Sequence, residues 1–242
     1  SYKRKIRLLY KNNLKINEYI TLDLYDTHYL KTVMRCKIGN IIHLFNNDDG
    51  EFESEIINFQ EKKFILKNVK KYPRKENLQD LHLVFATVKK HIMEFIVQKG
   101  TELGVSEFFP VITDRSNYNK INFKRLNLIA KEAAEQCERL SVPKVNNAQS
   151  LINYLNNSEK NRTLIYADET IRKQMKLLKL KSQNTKIGSI LIGPEGGFSL
   201  AEKKLLVSQK FIFPVSLGLN ILKSDTASIV GLTYWHLLNS KQ

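Results

Sequence analysis

Leu191–Glu202 reads LIGPEGGFSLAE and sets three of the chain's ten glycines, a proline and a carboxylate directly behind an apolar run. That run, GSILIG at Gly188–Gly193, is apolar without alternation, the pattern of a parallel strand buried on both faces. The SLAE that follows is a capping box: the Ser199 hydroxyl can accept from the Glu202 amide, and the Glu202 carboxylate can reach back to the Ser199 amide. GPEGGF is therefore expected to be a strand-to-helix turn at the carboxyl end of a strand, where open α/β sheets bind ligands. It is not a phosphate loop. The Walker and dinucleotide spacings are absent, Pro194 removes an amide donor, and Glu195 would repel phosphate. Bare backbone with one acid suits a neutral or cationic ligand approached closely by the main chain, although a purely structural tight turn has the same pattern.

A second permissive loop follows the strand FIFPVSL (Phe211–Leu217), within SLGLNILKSDTAS at Ser216–Ser228. Gly218 frees the backbone, and Ser224 or Asp225 is expected to cap a last helix, Thr226–Leu238, that is apolar nearly all round and hence buried. If the two strands are neighbours, their glycine-containing loops form opposite walls of one pocket.

Further upstream, strands and helices alternate. LHLVFATV (Leu81–Val88), VSEFFPVIT (Val105–Thr113) and TLIYADE (Thr163–Glu169) read as strands, and HIMEFIVQKGTEL (His91–Leu103) reads as a helix closed by Gly104. The periodicity predicts another helix over about Phe123–Leu140. Its buried face is Phe123, Leu126, Ala130, Ala133, Cys137 and Leu140, with Asn122 as N-cap. Glu132, Gln136 and Arg139 form a separate stripe whose default reading is a solvated surface. This alternation implies a mostly parallel sheet covered on both faces. Residues before about 72 differ: five short strands interrupted by one helix near His28–Arg35 suggest a small β-barrel. Its amino-terminal edge is basic, with Lys3, Arg4, Lys5, Arg7 and Lys11. The polar YPRKENLQD between the two patterns reads as a linker.

Composition narrows the class. With 42% hydrophobic and 26% charged residues the chain is that of a globular protein, and no apolar run approaches the ~20 residues that span a bilayer. A cytoplasmic location is expected. The two cysteines are far apart and no histidine lies at ligand spacing from them, so neither a disulfide framework nor a metal site is expected. A formal charge of +15 would attract polyanions, nucleic acid above all, although a lysine-rich solvated surface has the same composition.

LIGPEGGFSLAE and SLGLNILKSDTAS, together with QKGTELGVSEFFPVITDRS (Gln98–Ser116) and KEAAEQCERLSVP (Lys131–Pro143), resemble the rRNA methyltransferases that modify N3 of a uridine in small-subunit (16S) rRNA. These are S-adenosylmethionine-dependent enzymes of the SPOUT class. The resemblance extends from the basic amino terminus to the last helix. It implies a PUA-like RNA-binding β-barrel at 1–72, a linker at 73–77, and a SPOUT catalytic α/β domain at 78–242. It further implies a trefoil knot, a homodimer with the site at the subunit interface, and 16S rRNA, within the small ribosomal subunit, as partner. Matched residue by residue, Gly193, Glu195, Gly196 and Gly197 stand in one cofactor loop, and Leu217, Gly218, Ile221 and Leu222 in the other. Lys99, Glu102, Arg115, Gln136 and Arg139 match the RNA-facing side of the site, and Arg4 and Arg7 lie on the basic edge expected to meet RNA. The family usually has Arg at Lys223, often Arg at Asn220, and commonly Glu at Asp225; at Lys90 and Ile92 it typically has Gly and a basic residue. Lysine keeps the charge at 223 but loses the bidentate fork.

The chemistry so implied needs N3 of the uracil to lose its proton. Lys99, Arg139 and Lys223 are the expected electrostatic stabilisers of the developing O2 or O4 charge, and Glu102 the expected base. Two other readings fit the sequence: a SPOUT methyltransferase acting on a ribose 2′-hydroxyl or another base, and a non-catalytic RNA-binding factor in ribosome assembly.

Overall fold

The computed structural model describes residues 5–73, 76, 79–116, 120–159, 161–168, 170–171 and 187–239. The chain divides into two compact units, one of residues 1–77 with 134–141, the other of residues 78–133 with 142–242.

In the first unit, β1 (Arg7–Leu9), β2 (Tyr19–Thr21), β3 (Ile41–Asn46), β4 (Gly50–Gln60) and β5 (Lys63–Tyr72) form a sheet in the order β1-β3-β4-β5-β2. The expected barrel is observed as this sheet, antiparallel except where β1 runs parallel to β3. Alternation does the folding: Phe52 and Ile56 on β4 and Phe64 and Leu66 on β5 point inward and close over Leu8, Leu30, Ile42 and Leu44. One polar pair sits in the interior, where the Ser54 hydroxyl donates to the Asn68 amide oxygen at 2.6 Å. The helix of this unit starts earlier than the sequence suggested. Asp23 accepts from the Asp26 amide, so α1 runs Leu24–His28 and continues as a π-helical turn over Tyr29–Val33.

In the second unit, β6 (Asp80–Ala86), β7 (Glu107–Ile112), β8 (Lys144–Val145), β9 (Gln149–Ser150), β10 (Thr163–Ala167), β11 (Ile187–Ile192) and β12 (Ile212–Val215) make a sheet in the order β12-β10-β11-β6-β7-β8, with β9 also on β7. Every pairing among the described strands is parallel. The apolar run of β11 is explained by its position inside the sheet. Ile190 and Ile192 face a core shared with α2 (Lys90–Glu102) and α6 (Ser224–Asn239), to which α3 (Phe123–Gln136) adds Leu126 and Ala130. Leu191 faces the opposite core, with α4 (Leu151–Asn157) and α5 (Leu200–Ser208). Gly188 is required by close approach: a Cβ there would lie 1.8 Å from the Trp235 ring.

Three expectations are corrected. Helix α3 stops at Gln136, and Glu138 takes a left-handed φ of 63°. Helix α6 is not buried all round, since Thr226, Thr233 and Leu237 are exposed. The strands that carry the two glycine loops, β11 and β12, are not neighbours, because β10 lies between them. No helix among the described residues is long and apolar enough to cross a membrane.

Candidate active site

Three parallel strands, β12, β10 and β11, end at one edge of the sheet, with Ala167 opposite Val215 and Tyr166 opposite Leu191. The segments leaving them enclose a cleft of about 470 Å³. Parallel strands necessarily align their carboxyl ends, so a site built from the following loops is a consequence of the topology.

Ile192, Gly193, Pro194 and Gly197 supply the wall after β11, and Ser216–Leu222 the wall after β12. Between them the end of β10 contributes Ala167, Asp168 and Ile171, which the sequence reading did not single out. Gly193, Gly197, Leu217, Gly218, Ile221 and Leu222 therefore line the cleft together. Glu195 and Gly196 are exposed and do not line it.

The first loop is held from behind. The capping box forms as anticipated, with Ser199 Oγ accepting from the Glu202 amide at 3.2 Å and Glu202 Oε2 accepting from the Ser199 amide at 2.8 Å. Glu202 Oε1 also accepts from the Asp114 amide at 2.9 Å, and Ser199 Oγ meets Asp114 Oδ2 at 2.5 Å, which ties the turn to the segment after β7. Arg115 donates to the Gly196 carbonyl at 2.6 Å and so supports the glycine turn. The second loop turns through Gly218 at φ 142°, where the Ser216 hydroxyl donates to the Gly218 carbonyl at 3.0 Å.

The two loops are joined. Ser224 was a candidate cap, but its hydroxyl donates across to the Gly193 carbonyl at 3.1 Å, and the first turn of α6 instead uses the Lys223 carbonyl, which accepts from Ala227.

The remaining predicted residues fall into different surroundings. Lys99 and Glu102, one turn apart on α2, form an ion pair at 2.8 Å, each about one-third exposed. Lys223 and Gln136 are exposed. Arg4 lies outside the described residues.

Arg7, expected on an accessible basic edge, is buried instead. Its guanidinium donates to the Ala134, Glu135 and Arg139 carbonyls at 3.0 to 3.2 Å, pairs with Glu51 at 3.2 Å and lies 4.0 Å from the centre of the Phe45 ring. The carbonyls at a helix's carboxyl end lack intrahelical partners, and a cation satisfies both their hydrogen bonding and the helix dipole. Glu51 is held in turn by His43 at 2.8 Å. Burial pushes its carboxyl pKa up, but the bond from His43 and the charge of Arg7 outweigh this and bring it to about 2.

Arg139 departs from the solvated stripe. It is 7% exposed, its guanidinium lies 3.3 Å from Glu76 Oε1 and donates to the Ser141 hydroxyl at 3.1 Å. Glu76 Oε2 accepts from the Leu140 and Ser141 amides as well, so this carboxylate gathers the 139–141 segment.

The chain resembles known proteins in sequence and in fold. Residues 74–236 match the family model of an RNA methyltransferase domain, and residues 26–67 that of an RNA methyltransferase PUA domain. The chain is 33% identical over 218 residues to ribosomal RNA small subunit methyltransferase E of Rickettsia conorii, covering 89% of this chain and 88% of the relative. It is 31% identical to the protein of the same name in Buchnera aphidicola from Acyrthosiphon pisum, covering 94% and 91%. Among solved structures, a Legionella pneumophila methyltransferase in complex with the bound cofactor SAM superposes with a TM-score of 0.85 at 25% identity, covering 97% of this chain and 98% of the other. The Neisseria gonorrhoeae ribosomal RNA small subunit methyltransferase E gives 0.86 at 20% identity over 97% and 98%, which shows a shared SPOUT fold.

Proposed function

This chain belongs to the ribosomal RNA small subunit methyltransferase E family of RNA methyltransferases, and from that premise we propose that it methylates N3 of a uridine in 16S rRNA. The cofactor is S-adenosylmethionine. The observation that carries the reading is the cleft at the carboxyl ends of β12, β10 and β11, with both glycine loops on its walls.

The cleft suits that cofactor. Its ~470 Å³ lies within the roughly 300–1,000 Å³ usual for small-ligand sites. Ile192, Leu217 and Leu222 offer apolar surface for a flat base, and Gly193, Gly197 and Gly218, without side chains, let the main chain approach it closely. A Cβ at Gly218 would meet no protein atom within 4 Å, so open space lies in front of that peptide. When bound, S-adenosylmethionine would supply a methyl group on a cationic sulfur, whose transfer to N3 would exchange the carbon–sulfur bond for a carbon–nitrogen bond with loss of the N3 proton.

The chain's residues orient and discharge that step. Rigid loops that hold the two reactants in line can contribute roughly 7–11 kcal/mol toward the barrier. The ties from Ser224 to Gly193 and from Arg115 to Gly196 provide such rigidity. Lys99 and Lys223, which do not themselves line the cleft, are proposed to serve the charge developing on O2 or O4, and Glu102 is the carboxylate proposed to accept the proton, in exchange for its pairing with Lys99. Arg139, engaged by Glu76 and Ser141, is proposed to orient the 139–141 segment. The uridine must leave its stack to reach the cleft.

Leu219 and Ile221, 94% and 82% exposed at the lip of the cleft, favour a homodimer that covers them. The knot implied by the family resemblance, the small ribosomal subunit as substrate and a cytoplasmic site of action belong to the same reading. It is tested by incubating the protein with labelled cofactor and ribosomal subunits lacking the modification. Transfer of label to the rRNA supports the proposal, and no transfer to subunits or free rRNA refutes it.

A further inference from the structure

Among the described residues that line the cleft, Asp168 alone has an ionisable side chain. It follows β10 directly and is 7% exposed. Its carboxylate is fixed by short bonds: Tyr166 donates its hydroxyl to Oδ2 at 2.6 Å, and the Thr170 amide and hydroxyl donate to Oδ1 at 2.9 and 2.7 Å. Lys203 reaches Oδ1 from α5 at 3.3 Å and is not itself a lining residue. Oδ1 thus receives three donors and Oδ2 one, which leaves acceptor capacity on Oδ2. Burial pushes the Asp168 pKa up, but the donated bonds outweigh it and keep the group below its ordinary 3.8, so it is an anion at neutral pH.

An anion in a cleft otherwise lined by apolar and neutral groups creates a local negative potential, little screened because the site is partly withdrawn from water. A merely structural acid in this position would link β10 to α5 through Lys203 and be indifferent to the charge of the occupant. Asp168 also lines the cleft, which gives it a consequence for binding.

We propose that Asp168 biases the cleft toward the cationic S-adenosylmethionine and against its neutral-sulfur product, S-adenosylhomocysteine. This rests on the cofactor reading given above. Methyl transfer removes the positive charge on sulfur, so the carboxylate loses its attraction for that atom in the product. Asp168 is in this sense a specificity residue, and Lys203 tempers it by offsetting part of its charge.

The test is calorimetric binding of both compounds to the full-length wild-type protein and to the Asp168→Asn and Lys203→Met variants, read as the ratio of the two affinities. Asp168→Asn is expected to shift the ratio about tenfold away from S-adenosylmethionine while affinity for S-adenosylhomocysteine changes little, and Lys203→Met to shift it severalfold the other way. An Asp168→Asn ratio equal to wild type, or equal weakening of both compounds, overturns the proposal. If that variant does not fold, Lys203→Met decides: a ratio that stays put or falls overturns it. Failure of the wild-type protein to bind either compound would instead overturn the cofactor reading itself.

Discussion

Ser224 donates its hydroxyl to the Gly193 carbonyl at 3.1 Å, and this one bond spans the two loops that face each other across the cleft. Ser224 is buried and Gly193 half-buried, so the bond is sheltered in part from water. Ser224→Ala is expected to cost about 1 kcal/mol of stability and to weaken S-adenosylmethionine binding severalfold, because the loops lose their relative position. Thermal unfolding and calorimetry read the two effects separately; unchanged affinity would show that the loops keep their spacing without the bond.

Gly218 has a φ of 142°, in a region that a side chain makes strained, and a Cβ there would stand in open space. Gly218→Val should cost about 1–3 kcal/mol in backbone strain and place its methyl groups in the ligand's volume, abolishing cofactor binding. A variant that stays folded at working temperature and binds with wild-type affinity would contradict the assignment of this loop to the cofactor.

Glu51 makes stability depend on pH in a definite direction. Its folded-state pKa, about 2, lies below its ordinary 4.5, so the stabilisation is fully present above about 4.5 and is lost as pH falls through about 2. Glu51→Gln removes the charge that pairs with Arg7 and His43. The variant should be less stable than wild type at pH 7, and the gap between them should narrow between pH 4.5 and pH 2. Denaturant unfolding across that interval measures it; a constant gap would mean that the depressed carboxyl is not the source.

The parts of the site written in short, local patterns were legible in the sequence. GSILIG followed by SLAE identified a buried strand, a turn and a capped helix, because each signal involves residues within four positions of one another. Asp168 was not legible, since its place in the cleft depends on β10 being inserted between β11 and β12, a matter of strand order that no local pattern encodes. An acid at the carboxyl end of the apolar TLIYA was the available signal. Arg7 looked like a surface cation because its neighbours in sequence are basic, whereas its hydrogen-bond partners are carbonyls more than a hundred residues away. The stripe of Glu132, Gln136 and Arg139 held only while the helix lasted. With α3 ending at Gln136 and Glu138 at φ 63°, helical spacing no longer governs Arg139, which is buried while the other two are exposed.

The most direct test of the account is nucleoside mass spectrometry on 16S rRNA from small subunits that lack the modification, after reaction with this protein and S-adenosylmethionine. Digestion should yield one new methylated nucleoside, uridine with its methyl group on N3. A methyl group on a ribose 2′-hydroxyl, on a different base, or on no nucleoside at all would contradict it.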